Sequence, residues 1–271
     1  MGLLEGKVAF VTGAARGQGR SHAVRLAREG ASIIAIDVSG PVTDDNNYAP
    51  AAEDDLLETV RLVEAEGHRI VAEQVDVRDA ADVQRALERG VSQFGGRLDV
   101  VVANAGISNW NRFWEMSEDQ WQTMLDVNLT GVWHTMKAAA PLMIAAGNGG
   151  SMINISSSAG VKSLPAQAHY SAAKHGVVGL TKTAAIELGE YGIRVNSIHP
   201  WAVDTVMISD PRINDFRERY PSYANFYHAL LPGLPIAGVD DISDAVIWLA
   251  SDLSRAVTST QLTVDMGSTK T

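Results

Sequence analysis

Cysteine is missing from this chain, and with it go disulfides, thiolate metal sites and a cysteine nucleophile. Lysine and arginine are outnumbered by aspartate and glutamate, 22 to 32, which leaves a formal net charge of −10. Nucleic acid and anionic membranes both recruit basic surface, so neither is expected as a partner. No apolar run reaches the ~20 residues that a membrane helix needs. The opening Met1-Gly2-Leu3-Leu4-Glu5-Gly6-Lys7 lacks the basic segment and long apolar core of a secretory signal. A soluble, cytoplasmic protein is the expectation. Repeats, heptads and low-complexity tracts are absent too. What is present suffices for one sizeable core: 271 residues, 46% of them hydrophobic and 20% charged.

Short apolar runs alternate with helical patterns along the whole length. Val8-Ala9-Phe10-Val11 reads as a strand and leads into Thr12-Gly13-Ala14-Ala15-Arg16-Gly17-Gln18-Gly19. A helix follows, with Ala23, Leu26 and Ala27 on one face and Gly30 as its stop. Strand, glycine turn and helix are the setting in which backbone N–H groups and a helix N-terminus cradle a pyrophosphate. The spacing here is Gly-x-x-x-Gly-x-Gly. Ser32-Ile33-Ile34-Ala35-Ile36 is the second strand and ends at Asp37, about 20 residues past the glycines. A carboxylate there accepts from ribose hydroxyls and repels a 2′-phosphate, which favours NAD. Arg16 is the residue that argues for NADP, and Asp37 opposes it.

Residues 40–55 form an insertion rich in Asp, Asn and Pro that the pattern leaves irregular, and 201–235 form a largely irregular aromatic stretch expected to act as a substrate lid. Further strands are expected at Ile70–Val75, leading to Asp76-Val77, at Leu98–Val102, leading to Ala103-Asn104-Ala105-Gly106, and at Met152–Ile155. Two more are expected at Arg194–Ile198 and Leu262–Asp265. The expected fold is therefore α/β: a single domain over 1–271, a doubly wound parallel sheet of Rossmann type with helices on both faces.

One pair carries chemistry. Tyr170 and Lys174 stand four apart at the start of a helical pattern, so phenol and ammonium share a face. A neighbouring ammonium favours phenolate and brings the phenol toward the range where it exchanges protons. Ser157 follows the apolar strand at a position where a parallel sheet opens onto a crevice. His134, His169 and His199 are too scattered for a metal site, and no metal is expected.

Thr12-Gly13-x-x-x-Gly17-x-Gly19, Asn104-Ala105-Gly106, Asn128, Ser157, Tyr170-x-x-x-Lys174 and Asp204-Thr205 together resemble the short-chain dehydrogenase/reductase family across nearly the whole chain. The resemblance implies a catalytic set of Asn128, Ser157, Tyr170 and Lys174. Among Ser156, Ser157 and Ser158 the family's spacing of 13 residues before Tyr170 selects Ser157. It implies NAD held by Gly13, Arg16, Gly17, Gln18 and Gly19, by Asp37, Asp76 and Val77, and by Asn104, Ala105 and Gly106. Tyr170, Lys174, Pro200, Val203 and Thr205 complete the cofactor set. The implied reaction is reversible hydride transfer between a secondary alcohol and NAD in a homotetramer.

The run Gly17 to His22, with the insertion and Asp-Leu-Leu-Glu-Thr-Val-Arg-Leu-Val after it, looks like the carveol-dehydrogenase-like subgroup. That subgroup is associated with the redox peptide mycofactocin, which implies an apolar cyclic alcohol or its ketone as substrate, tightly held NAD and an external redox partner. Pro200-Trp201 and Val257-Thr258-Ser259 stand where the family shows Pro-Gly and Val-Thr-Gly, and Ala103 opens a motif that the family opens with Asn. An NADPH-dependent ketoreductase and a non-catalytic NAD-binding redox sensor are the rival readings.

Overall fold

The computed structural model describes residues 2–231 and 233–270; Pro232, inside the expected lid, and the two terminal residues lie outside them. The strands are β1 (Val8–Thr12), β2 (Ser32–Asp37), β3 (Ile70–Gln74), β4 (Val100–Ala103), β5 (Gly150–Ile155), β6 (Ile193–Pro200) and β7 (Gln261–Val264). All pair in parallel, in the order β3-β2-β1-β4-β5-β6-β7. Both faces of the sheet are covered, so the central strands read as continuous apolar runs without alternation. Every residue of β1 and β4 is buried.

The helices are α1 (Gly17–Arg28), α2 (Glu53–Ala65), α3 (Ala80–Gln93), α4 (Glu118–Leu125), α5 (Gly131–Ala146), α6 (Ala168–Leu188), α7 (Arg212–Arg219) and α8 (Val239–Ala250). On one face of the sheet Leu26, Val63 and Val246 from α1, α2 and α8 pack on Ala9, Val11 and Ile33. On the other, Leu87, Met143 and Val177 from α3, α5 and α6 pack on Phe10, Ile34 and Met152. Strand order reverses between β1 and β4, and the crevice beyond their C-terminal ends is where open α/β sheets bind ligands.

The lid stretch departs from the sequence expectation. It contains α7 and short 3₁₀ turns in place of a wholly irregular run. α7 buries none of its residues, so it carries no apolar stripe for a pattern search to find. A second departure lies between α4 and α5, where Asp126–Thr130 form a π-turn in an otherwise continuous helix. Among the described residues no helix is long and apolar enough to cross a membrane.

Candidate active site

The crevice holds a cavity of about 420 Å³, and every site residue named from the sequence lines it. At one end is the glycine turn. Gly13 takes φ +67°, and a Cβ there would stand 2.8 Å from Cα of Ala105; a Cβ on Gly19 would stand 2.0 Å from the carbonyl oxygen of Gly13. Only glycine closes this turn. Helix α1 then starts with Arg16 at its N-cap, no side-chain cap and no acidic residue in the first turn. Its free N–H groups and positive dipole end are left for an anion. The buried Oε1 of Gln18 has no hydrogen-bond partner, which adds an open acceptor beside the turn. The set fits a dinucleotide.

Asp37 closes β2 and is 8% exposed. Its Oδ2 accepts from Ala15 N at 3.0 Å and its Oδ1 from Ser39 N at 2.9 Å, so the carboxylate also braces the glycine turn. Each oxygen keeps capacity for a ribose hydroxyl. Asp76, beside Val77, is gripped by the fork of Arg78 at 2.6 Å; burial pushes its carboxyl up, and the guanidinium bonds outweigh that to hold it below the usual range. Asn104 is structural through its side chain. Its Nδ2 donates to Thr12 O at 3.0 Å and Gly13 O at 3.2 Å, which clips β4 to β1 at the reversal.

At the other end the π-turn presents Asn128, fully buried. Its side chain pairs twice with one backbone unit: Nδ2 donates to Ile107 O at 3.0 Å and Oδ1 accepts from Ile107 N at 3.2 Å. A Cβ on Gly106 would come within 2.7 Å of that Oδ1, so the pairing fixes glycine there. Ser157 lies two residues past β5. Its Oγ accepts from Ala159 N at 3.1 Å, which leaves its proton to donate. His199 Nδ1 donates to Ser157 O at 2.8 Å and its Nε2 pairs with Ser197 Oγ, so this histidine positions the serine backbone.

Tyr170 sits in the first turn of α6, one turn before Lys174. Burial pushes the Tyr170 phenol up, and hydrogen bonding with Ser157 opposes the rise. Lys174 is 3% exposed; burial brings its ammonium down to about 8, and Nζ donates to Ile155 O at 2.9 Å. The sequence pairing of phenol and ammonium is therefore corrected in one respect. In the protein alone desolvation dominates Tyr170, because Nζ lies 5.5 Å from its ring centroid and is turned to the strand end. His169 accepts from Tyr170 N at 2.9 Å and faces Asn109 Oδ1 at 2.7 Å, and His134 faces Val77 O at 2.9 Å.

The insertion after Asp37 contributes residues that sequence reasoning did not assign to the site. It crosses the cavity as a strap: Arg16 donates to Ala49 O at 2.6 Å, Asn109 Nδ2 to Asn46 Oδ1 at 3.2 Å, and Arg212, paired with Asp210 at 3.2 Å, to Asp45 O. Val42 packs on the core, and Tyr48 enters the cavity. Trp201, Met207 and Ile208 complete an apolar wall. Trp201 stacks on Tyr227 at 5.9 Å, and Tyr227 OH donates to Pro165 O at 2.8 Å.

With this geometry in place, the comparisons decide the family. The family model described as enoyl-(acyl carrier protein) reductase matches residues 13–269. An uncharacterized NAD-dependent oxidoreductase of Mycobacterium tuberculosis is 53% identical over 274 residues, 99% of this chain and 98% of that one. The chain belongs to the short-chain dehydrogenase/reductase family. Among its fellow members, the (−)-trans-carveol dehydrogenase of Rhodococcus erythropolis is 43% identical over 277 residues, 99% of each chain. The crystal structure of a short chain dehydrogenase from Mycobacterium paratuberculosis, bound to NAD, superposes with a TM-score of 0.97 at 48% identity over 100% of both chains.

Proposed function

We propose that this NAD-dependent short-chain oxidoreductase interconverts an apolar cyclic secondary alcohol and its ketone, with Tyr170 as the group that takes or returns the hydroxyl proton. The observation that carries the reading is the convergence of Tyr170, Ser157 and Lys174 at one end of a cavity whose glycine turn occupies the other. The apolar wall of Ile107, Trp201, Met207 and Ile208 and the likeness to a carveol dehydrogenase support an apolar ring.

NAD, when bound, supplies the hydride acceptor. Ser157 donates its free proton to the substrate oxygen, which stabilises the charge that develops there. Tyr170 accepts the alcohol proton; before substrate binds, its hydrogen bond with Ser157 opposes the rise that burial imposes, and the substrate oxygen then takes over the Ser157 proton. Lys174 brings a positive charge one turn away, which favours the phenolate against the burial that opposes it. Asn128 holds Ile107 and the wall it belongs to, and any role in relaying the proton falls to its backbone, since its side-chain amide is committed.

The strap over the cavity supports slow exchange of NAD, with re-oxidation by an external redox partner such as mycofactocin. The exposed Trp121, Trp133 and Ile186 on α4, α5 and α6 support assembly into a homotetramer, for which light scattering should give about four times the 29.0 kDa of one chain. The deciding experiment is Tyr170→Phe assayed by NADH absorbance with terpenols and substituted cyclohexanols. Turnover should vanish while NAD binding stays within about twofold. A variant that keeps a tenth of wild-type kcat would remove Tyr170 from the reaction.

A further inference from the structure

Tyr48 faces the same cavity as Tyr170 and has no part in the reaction just described. Its phenol oxygen accepts from Ser108 N at 3.1 Å, and Ser108 follows Ile107, the residue that Asn128 pins. The phenol therefore reaches the catalytic end of the cavity. One lone pair is engaged, and among the described residues the hydroxyl proton has no acceptor. The ring is held on both sides along the chain: Asn46 is bonded to Asn109, and the carbonyl of Ala49 to Arg16. A side chain fixed this closely before substrate arrives loses little freedom on binding.

We propose that Tyr48 determines specificity: its hydroxyl donates to a second oxygen of the substrate, so that the preferred substrates are cyclic secondary alcohols or ketones bearing a further carbonyl or hydroxyl group. The walls beside it, Ile107, Trp201, Met207 and Ile208, offer no oxygen or nitrogen acceptor from their side chains. Once a substrate has displaced water, a phenol without an acceptor is left unsatisfied at a cost of about 1–3 kcal/mol, and a substrate oxygen in reach removes that cost. Burial pushes the Tyr48 phenol up to about 12, so at neutral pH it remains a donor, whereas Tyr170 must exchange its proton. The inference rests on the reading that Tyr170 handles the reacting hydroxyl and that a cyclic alcohol fills the cavity.

The test compares 4-methylcyclohexanol with 4-hydroxycyclohexanone, which differ by an oxygen across the ring, in the wild-type protein and in Tyr48→Phe. Wild type should favour the keto-alcohol by about tenfold or more in kcat/KM. The variant should lose that preference through the keto-alcohol alone, with 4-methylcyclohexanol and the NAD dissociation constant each within about twofold. An equal loss on both substrates, weakened NAD binding or no preference in wild type would overturn the proposal, the first two by making Tyr48 a tether of the strap. The wild-type preference needs no variant, so it decides even if the substitution prevents folding. Turnover surviving Tyr170→Phe would instead refute the proposed reaction while leaving the ratio between the two substrates interpretable.

Discussion

Lys174 donates to the carbonyl of Ile155 at 2.9 Å and makes no hydrogen bond to Tyr170, which stands one turn before it. The ammonium is thus held by the end of a strand, and its influence on the phenol acts through space. Replacing Lys174 with Met should lower kcat and move the rising limb of the pH profile for alcohol oxidation to higher pH. The sign follows from charge: without the cation, phenolate formation at Tyr170 is harder, and its titration shifts upward. Stopped-flow or steady-state rates between pH 6 and 10 would show it. A limb that stays in place would confine Lys174 to binding.

Asp37 accepts from Ala15 and Ser39 while it faces the cavity, so its replacement acts twice. Asp37→Ala should weaken NAD by loosening the glycine turn and strengthen NADP relative to NAD by roughly ten- to hundredfold, about 1–3 kcal/mol. Calorimetric titration with both dinucleotides measures the two effects separately. Equal affinity of the wild-type protein for the two would contradict the assignment.

The strap invites a test of cofactor exchange. A segment this rich in Asp, Asn and Pro has little apolar surface to hold it, yet Arg16, Asn109 and Arg212 tie it down from three directions. Purified protein should carry NAD(H) through dialysis, and excising 41–52 or changing Arg16 to Ala should release it, because affinity differences within one site fall mostly on the off-rate. Chromatography of the denatured supernatant would decide. No copurified nucleotide and rapid turnover with free NAD would make the strap a surface loop.

Acid should destabilise the fold through His22. This side chain is fully buried between α1 and α8, its Nδ1 pairs with Ser243 Oγ at 2.8 Å, its Nε2 has no partner, and burial brings its pKa down to about 3. The unfolded chain takes up a proton near pH 6.5 and the folded one does not, so stability is lost as pH falls from 6.5 toward 3. Between pH 7.5 and 5 the loss from this group is about 2 kcal/mol. Thermal melts at the two pH values should converge in His22→Gln. An unchanged gap would place the acid sensitivity elsewhere.

The parts of this protein that were legible in its sequence are those in which one physical demand dominates. Strands buried on both faces are uniformly apolar, and β1, β2 and β5 were read within a residue or two. The glycine turn was legible because two backbone approaches under 3 Å exclude every other residue. Tyr170 and Lys174 were legible because four residues is one helical turn. Tyr48 left only the faint sign of an aromatic residue in a polar run, since its place depends on Ser108, 60 residues on. α7 buries nothing, so its sequence follows no period, and the placement of Lys174 Nζ depends on a strand that periodicity within α6 cannot see.

The π-turn at Asp126–Thr130 makes the segment from Glu118 to Ala146 intolerant of a change in length. Only a residue taken from the turn itself would leave a regular α-helix with its flanks facing as they do now, and it would displace Asn128. A deletion elsewhere in the segment would rotate everything beyond it by about 100°. Trp133, now outward, would swing toward the sheet, Met143 would swing out of the core, and Asn128 would lose its alignment with Ile107. A one-codon deletion in this stretch should therefore do more harm than most point substitutions, and lineages that keep the reaction should keep the count of residues between Met124 and Met136.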